Sequence, residues 1–171
     1  GNLDGDGKPE LVSTSYTGNT VSVLFNTSTS GTINSSSFSA SVNFSTGSFP
    51  YGVAIGDLDG DGKPDLAVTS SGSNAVSVFR NTSTSGVIDA SSFAAKVDFS
   101  TGSSPYGIAI GDLDGDGKLD LVVANINSST ISVLRNTSTS GVIDASSFAA
   151  KVDFSTGFGS GSRDIKIGDL D

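Results

Sequence analysis

Residues Gly56–Leu66 read GDLDGDGKPDL, and their interpretation decides the fold. Asp57, Asp59 and Asp61 stand at every second position, Asp65 follows, and glycines separate them. Carboxylates packed this closely repel one another unless something cationic lies between them. The run returns at 111–121, returns nearly unchanged at 1–11, and begins once more at 168–171. Counted from Asp57, acids occupy positions 1, 3, 5 and 9, and Lys63 at position 7 offers a backbone carbonyl. That is the oxygen-ligand spacing of a DxDxDG calcium loop. Glycines at positions 4 and 6 allow the chain to coil tightly around a small centre.

The correspondence with an EF-hand ends at position 12, where a bidentate Glu is required. Val68, Val123 or Ser13 stands there instead, and no helical pattern flanks the loop. The expectation is a calcium loop between two strands, with Asp65 or Asp120 as its last carboxylate. The plainer alternative is a Gly/Asp-rich hairpin turn without metal. Three copies, each running into an apolar strand, weigh against it. Magnesium suits the loop less, since it retains several waters and takes few carboxylates.

The chain has 171 residues and a net charge of −9, which argues against nucleic-acid binding. The acidity is local: outside the repeated loops the acids are Asp89, Asp98, Asp144, Asp153 and Asp164. With no Cys and no His, neither Ser-His-Asp nor Cys-His chemistry nor an ordinary zinc site can be built. Gly, Ser, Thr and Asn are abundant and helix formers scarce, which predicts an all-β chain rich in turns.

The loop openings Asn2, Asp57 and Asp112 are 55 residues apart, and residues 80–102 and 135–157 are identical. Four strands are predicted in each unit. In the second unit they are Tyr51–Asp57, Asp65–Ser70, Ala75–Arg80 and Phe93–Ser100. Gly52, Ala54 and Gly56 give the first strand a face that a neighbour can approach closely. In the fourth, Phe93, Ala95, Val97 and Phe99 alternate with Lys96 and Asp98, the pattern of an outer strand with one wet side. Four short strands per unit is the size of a β-propeller blade; the coils of a parallel β-helix are much shorter. The predicted divisions are a partial blade at 1–49, full blades at 50–104 and 105–162, and the first strand of a further blade at 163–171.

YGVAIGDLDGDGKPDLAV (51–68) and YGIAIGDLDGDGKLDLVV (106–123) resemble the FG-GAP repeat, also described as the VCBS-type repeat. The resemblance covers essentially the whole chain. It implies a calcium-stabilised propeller displayed outside the cell, of the kind found in integrin α-subunits and secreted bacterial proteins. Carried over residue by residue, it assigns calcium to Asp57, Asp59, Asp61, the Lys63 carbonyl and Asp65. The third copy would use Asp112, Asp114, Asp116, the Lys118 carbonyl and Asp120. The first would use Asn2, Asp4, Asp6, the Lys8 carbonyl and Glu10, and should bind more weakly for its uncharged Asn2 and longer Glu10. A fourth site holds only Asp169 and Asp171, after a strand in which Arg163-Asp164 replaces Tyr106-Gly107 and Lys166 replaces Ala109.

About three blade equivalents do not close a ring, since propellers use four to eight blades. Two expectations remain open: the chain is part of a longer one, or copies associate, the last strand of one completing the first blade of the next. The expected function is an extracellular, non-catalytic scaffold for adhesion, recognition or surface and fibre assembly. Its partners would be other copies, further blades, or a cell-surface protein or polysaccharide, with no membrane insertion. The alternatives are a lectin-like propeller and the non-catalytic part of a polysaccharide-degrading enzyme. Sequons at Asn26, Asn34, Asn43, Asn81, Asn127 and Asn136 arise readily by chance in Ser/Thr/Asn-rich loops.

Overall fold

A computed structural model describes residues 1–157, 159 and 161–168. The chain is all-β, and among the described residues there is no helix. The first sheet contains β1 (Leu11–Ser15), β2 (Thr20–Leu24) and β3 (Val42–Ser45). The second contains β4 (Pro50–Gly56), β5 (Asp65–Ser70), β6 (Ala75–Phe79) and β7 (Val97–Ser100). The third contains β8 (Pro105–Gly111), β9 (Asp120–Asn125), β10 (Thr130–Leu134) and β11 (Val152–Ser155). Every neighbouring pair is antiparallel, and each sheet is an up-and-down meander in chain order. The register repeats with the sequence: Leu11↔Leu24, Leu66↔Phe79 and Leu121↔Leu134 occupy equivalent positions. These are propeller-type blades in an open array.

The core lies between blades. All of β5 is buried, so its alternating side chains serve two separate clusters. Leu66 and Val68 pack with Leu3, Val21, Val23 and Phe44 of the first blade. Ala67, Val76, Val78 and Phe99 pack with Leu121, Val123, Leu134 and Phe148 of the third. Each blade is thus a two-faced slab that needs a neighbour on both sides.

Strand β4 meets the next blade through its small-residue face. A methyl group added at Gly52 would lie 2.4 Å from the Tyr106 carbonyl oxygen, and one at Gly56 would lie 2.4 Å from Ile110 Cδ1. Thr69 Oγ1 donates to the same Tyr106 oxygen at 2.5 Å, and Thr14 Oγ1 donates to the Tyr51 oxygen at 2.9 Å. Tyr51 and Tyr106 pack against each other with ring centroids 4.1 Å apart.

Two strand expectations need correction. The fourth strand of the second blade begins at Val97, not Phe93. Phe93 forms an isolated bridge to Asn81, and the chain leaves the ladder over 94–96, so Ala95 is exposed instead of sharing the Phe93 face. The predicted strand Arg163–Asp169 is not formed over its described part, 163–168, which pairs with no described strand. That segment still runs beside β8, with the Arg163 oxygen 2.7 Å from where a Gly107 methyl would sit.

Candidate metal centre

The second and third acidic loops connect β4 to β5 and β8 to β9, and the first leads into β1. The coil depends on glycines in the left-handed region: Gly60 and Gly62 have φ of 69° and 88°, and Gly115 and Gly117 have φ of 78° and 86°. Loop amides then turn towards the carboxylates. Asp57 Oδ1 accepts from Gly60 N–H at 2.8 Å and its Oδ2 from Gly62 N–H at 2.9 Å. Asp112 does the same with Gly115 and Gly117. Asn2 has a single side-chain oxygen and accepts only from Gly5, at 3.0 Å.

The carboxylates converge. Oxygens of Asp57, Asp59 and Asp61 lie within 4.8 Å of one another, as do those of Asp4, Asp6 and Glu10, and those of Asp112, Asp114 and Asp120. Asp65 and Asp116, both expected as ligands, fall outside these groups. Asp169 and Asp171 lie outside the described residues.

The donor set is all oxygen and suits a hard divalent cation. The first loop adds an independent sign. Asp4 Oδ2 and Glu10 Oε1 are buried without a hydrogen-bond partner, on residues only 4% and 3% exposed. A buried carboxylate oxygen with nothing to receive is costly, and a cation in the loop would satisfy both. Burial pushes the Glu10 carboxyl above its ordinary value, against the N–H donated by Leu3.

The last acid of each loop also organises the blade. Asp65 accepts from Leu58 N–H at 2.9 Å through Oδ2 and from Asn81 N–H at 2.7 Å through Oδ1. Asp120 bonds Leu113 and Asn136 in the same way, at 3.0 and 2.8 Å. Glu10 reaches Leu3 N–H at 2.6 Å. Burial is the main influence on Asp65 and outweighs those two amides, raising its carboxyl to about 7; the charges of Asp59 and Asp61 act in the same direction.

Sequence reasoning missed two groups of residues. The first is the clasp made by NTSTSG at 81–86 and 136–141. Asn81 Nδ2 donates to the oxygens of Pro64, in its own blade, and Leu3, in the preceding acidic loop, at 2.8 and 2.6 Å. Ser83 Oγ also donates to Leu3 at 2.8 Å. Asn136 and Ser138 treat Leu58 identically, at 2.8 and 3.0 Å. Lys63 and Lys118, expected to contribute carbonyls, send Nζ to the oxygens of Ser83 and Ser138, both at 2.8 Å. Each clasp therefore locks one blade's acidic loop to the next blade. This also removes three glycosylation candidates: Asn26, Asn81 and Asn136 are buried, with Nδ2 committed to backbone oxygens. The exact recurrence of RNTSTSG was the available signal.

The second group is arginine. Arg80 Nε lies 2.8 Å from Asp59 Oδ2 and its Nη2 3.5 Å from Asp61 Oδ2. Arg135 Nη1 stands farther off, 3.9 Å from Asp114 and 4.0 Å from Asp116.

A family description of the FG-GAP-like repeat matches three times, over residues 2–68, 57–123 and 112–171. The chain belongs to that family. No curated protein matches it.

Proposed function

We propose that this chain is an extracellular, non-catalytic repeat scaffold whose acidic loops bind calcium and so stabilise the blades, in the service of adhesion, recognition or surface assembly. The observation that carries the metal reading is the pair of orphaned oxygens, Asp4 Oδ2 and Glu10 Oε1, beside Asp6. Calcium supplies what these carboxylates lack: a compact double charge with room for several oxygens. Asp59 and Asp4 would hold it on the buried side of their loops, and the loop amides keep the carboxylates aimed. Extracellular modules of this chemistry bind at about 10⁻⁴–10⁻³ M, which external calcium meets. Thermal melting decides the matter. A cation that prefers the folded state raises the melting temperature as its concentration rises. We expect a calcium-dependent rise that EDTA reverses and magnesium reproduces poorly; an identical melt in calcium and in EDTA would sink the reading.

The assembly part of the proposal draws on the outer blade faces, which expose residues whose equivalents are core. Leu11 is 50% exposed where Leu66 and Leu121 are fully buried, and Phe154 is 54% exposed where Phe99 is 7%. A blade from another copy, or a further blade of a longer chain, fits these faces. A carbohydrate-binding reading has one observation in its favour. A groove of about 660 Å³ runs between successive acidic loops, lined by Asn2, Asp4, Lys63, Ser83, Thr84 and Ser85 among others. Binding on a glycan array, abolished by Ser85→Trp, would favour that alternative.

A further inference from the structure

The three loops are not equivalent, and the difference traces to one position outside them. Asp4, Asp59 and Asp114 are equivalent, and each uses Oδ1 to accept the amide two residues on, at 3.2, 3.1 and 3.2 Å. The other oxygen has three different fates. Asp4 Oδ2 is orphaned; Asp59 Oδ2 is held by Arg80 at 2.8 Å; Asp114 Oδ2 faces Arg135 at 3.9 Å. The position that carries Arg80 and Arg135 is Phe25 in the first blade. Arg80 covers the oxygen whose equivalent is left bare in the first loop, and Arg135 stands off from its own.

We propose that Arg80, and more loosely Arg135, is a built-in counter-cation that competes with the divalent ion for its own loop and lowers that loop's affinity. This rests on the metal reading above. The guanidinium is always charged and hydrogen-bonds carboxylates well. It takes Asp59 Oδ2 and approaches Asp61 Oδ2, the oxygens that the two loop amides leave over. An incoming ion must displace it or share those oxygens with it. The formal charges agree: the second loop has four acids and one arginine, net −3, and the first has Asp4, Asp6 and Glu10 without an arginine, also −3. The additional carboxylate of the second loop is therefore offset by Arg80. Phe25 leaves the first loop with no such competitor.

The test is a calcium titration of the full chain by NMR, with the amides of Gly7, Gly62 and Gly117 reporting their own loops. Arg80→Met keeps the apolar stem and removes the charge. We expect it to tighten binding at Gly62 roughly tenfold, the scale of one lost charge-assisted bond, and to leave Gly7 unchanged. Arg135→Met should tighten Gly117 by less, and Phe25→Arg should weaken Gly7. In the wild type, the Arg80 Nε–H resonance should shift in step with Gly62. Unchanged or weaker binding at Gly62 in Arg80→Met overturns the proposal, because an arginine that merely orients the carboxylates would assist the ion. If that variant does not fold, unchanged Gly7 affinity in Phe25→Arg overturns it instead. If the wild type shows no calcium response at any of the three glycines, the metal reading itself has failed, a result distinct from the other two.

Discussion

At the scale of single residues, Asp65 shows how the last acid of a loop organises its blade. Its two oxygens accept two backbone amides, Leu58 near the loop start and Asn81 just beyond β6. Asn offers one acceptor oxygen, so Asp65→Asn must leave an amide without its partner. We expect a loss of about 1–3 kcal/mol in chemical denaturation, the usual cost of an unsatisfied buried group. The same residue sets a pH dependence. Its folded value of about 7 lies above the ordinary 3.8, so the folded chain prefers it protonated. In EDTA, that contribution is full below pH 3.8 and is lost as pH rises through about 7. Burial is the largest single influence on Asp153 and raises it, but the Lys151 and Ser132 hydrogen bonds with the Lys151 charge together hold it below its ordinary value, so it works in the opposite sense and its contribution is lost as pH falls. Calorimetry in EDTA should therefore show the melting temperature rising from pH 8 to pH 5. Calcium should flatten or reverse that slope, since it needs the carboxylates ionised.

At the scale of elements, the innermost strands are positioned by what they lack. Gly52 lies where the β4 register shifts between Pro50 and Val53, but its φ is outside the left-handed region, so a methyl there meets no left-handed strain. The obstacle is the Tyr106 carbonyl oxygen at 2.4 Å, a backbone atom that cannot rotate aside. Gly52→Ala must push β8 away and disturb the Thr69 hydrogen bond to the same oxygen. A destabilisation of about 1–3 kcal/mol is expected from such overpacking. Urea denaturation measures it, and an unchanged midpoint would show that the blades are free to slide. The clasp loops act at this scale too. By tying Leu3 and Leu58 to the next blade, they make each acidic loop part of an interface as well as part of a turn. The third loop has no described clasp partner, and Leu113 is 46% exposed where Leu58 is 1%.

Across the whole molecule, stability comes from stacking. Among the described residues two apolar clusters hold three sheets, and both lie between blades. The exposed Leu11 face and the exposed Phe154 face are the two halves of such a cluster, parted to opposite ends of the array. If they meet in another copy, Phe154→Asp should abolish association and leave the internal clusters intact. Analytical ultracentrifugation reads the first effect and circular dichroism the second. Association unaffected by Phe154→Asp and by Leu11→Asp would rule out these faces as the contact.

The sequence alone determined the architecture and the coil of the acidic loops. A 55-residue repeat, period-two alternation and glycines at fixed loop positions are local rules, and local rules are written in order along the chain. It also marked Gly52 and Gly56 as a surface for close approach, because a strand face without side chains has little other use. What it could not determine is which partner each polar group would find. Asn81 meets Leu3 across 78 residues, and Arg80 meets Asp59 across 21. Both contacts exist only once the blade has folded and, for Asn81, once it has stacked on the preceding blade. The same holds for the fourth strand, whose pattern continues back to Phe93 although its pairing begins at Val97. Alternation records which side chains face the core. Whether the backbone also joins a ladder depends on where the neighbouring strand ends, and tertiary structure alone decided that.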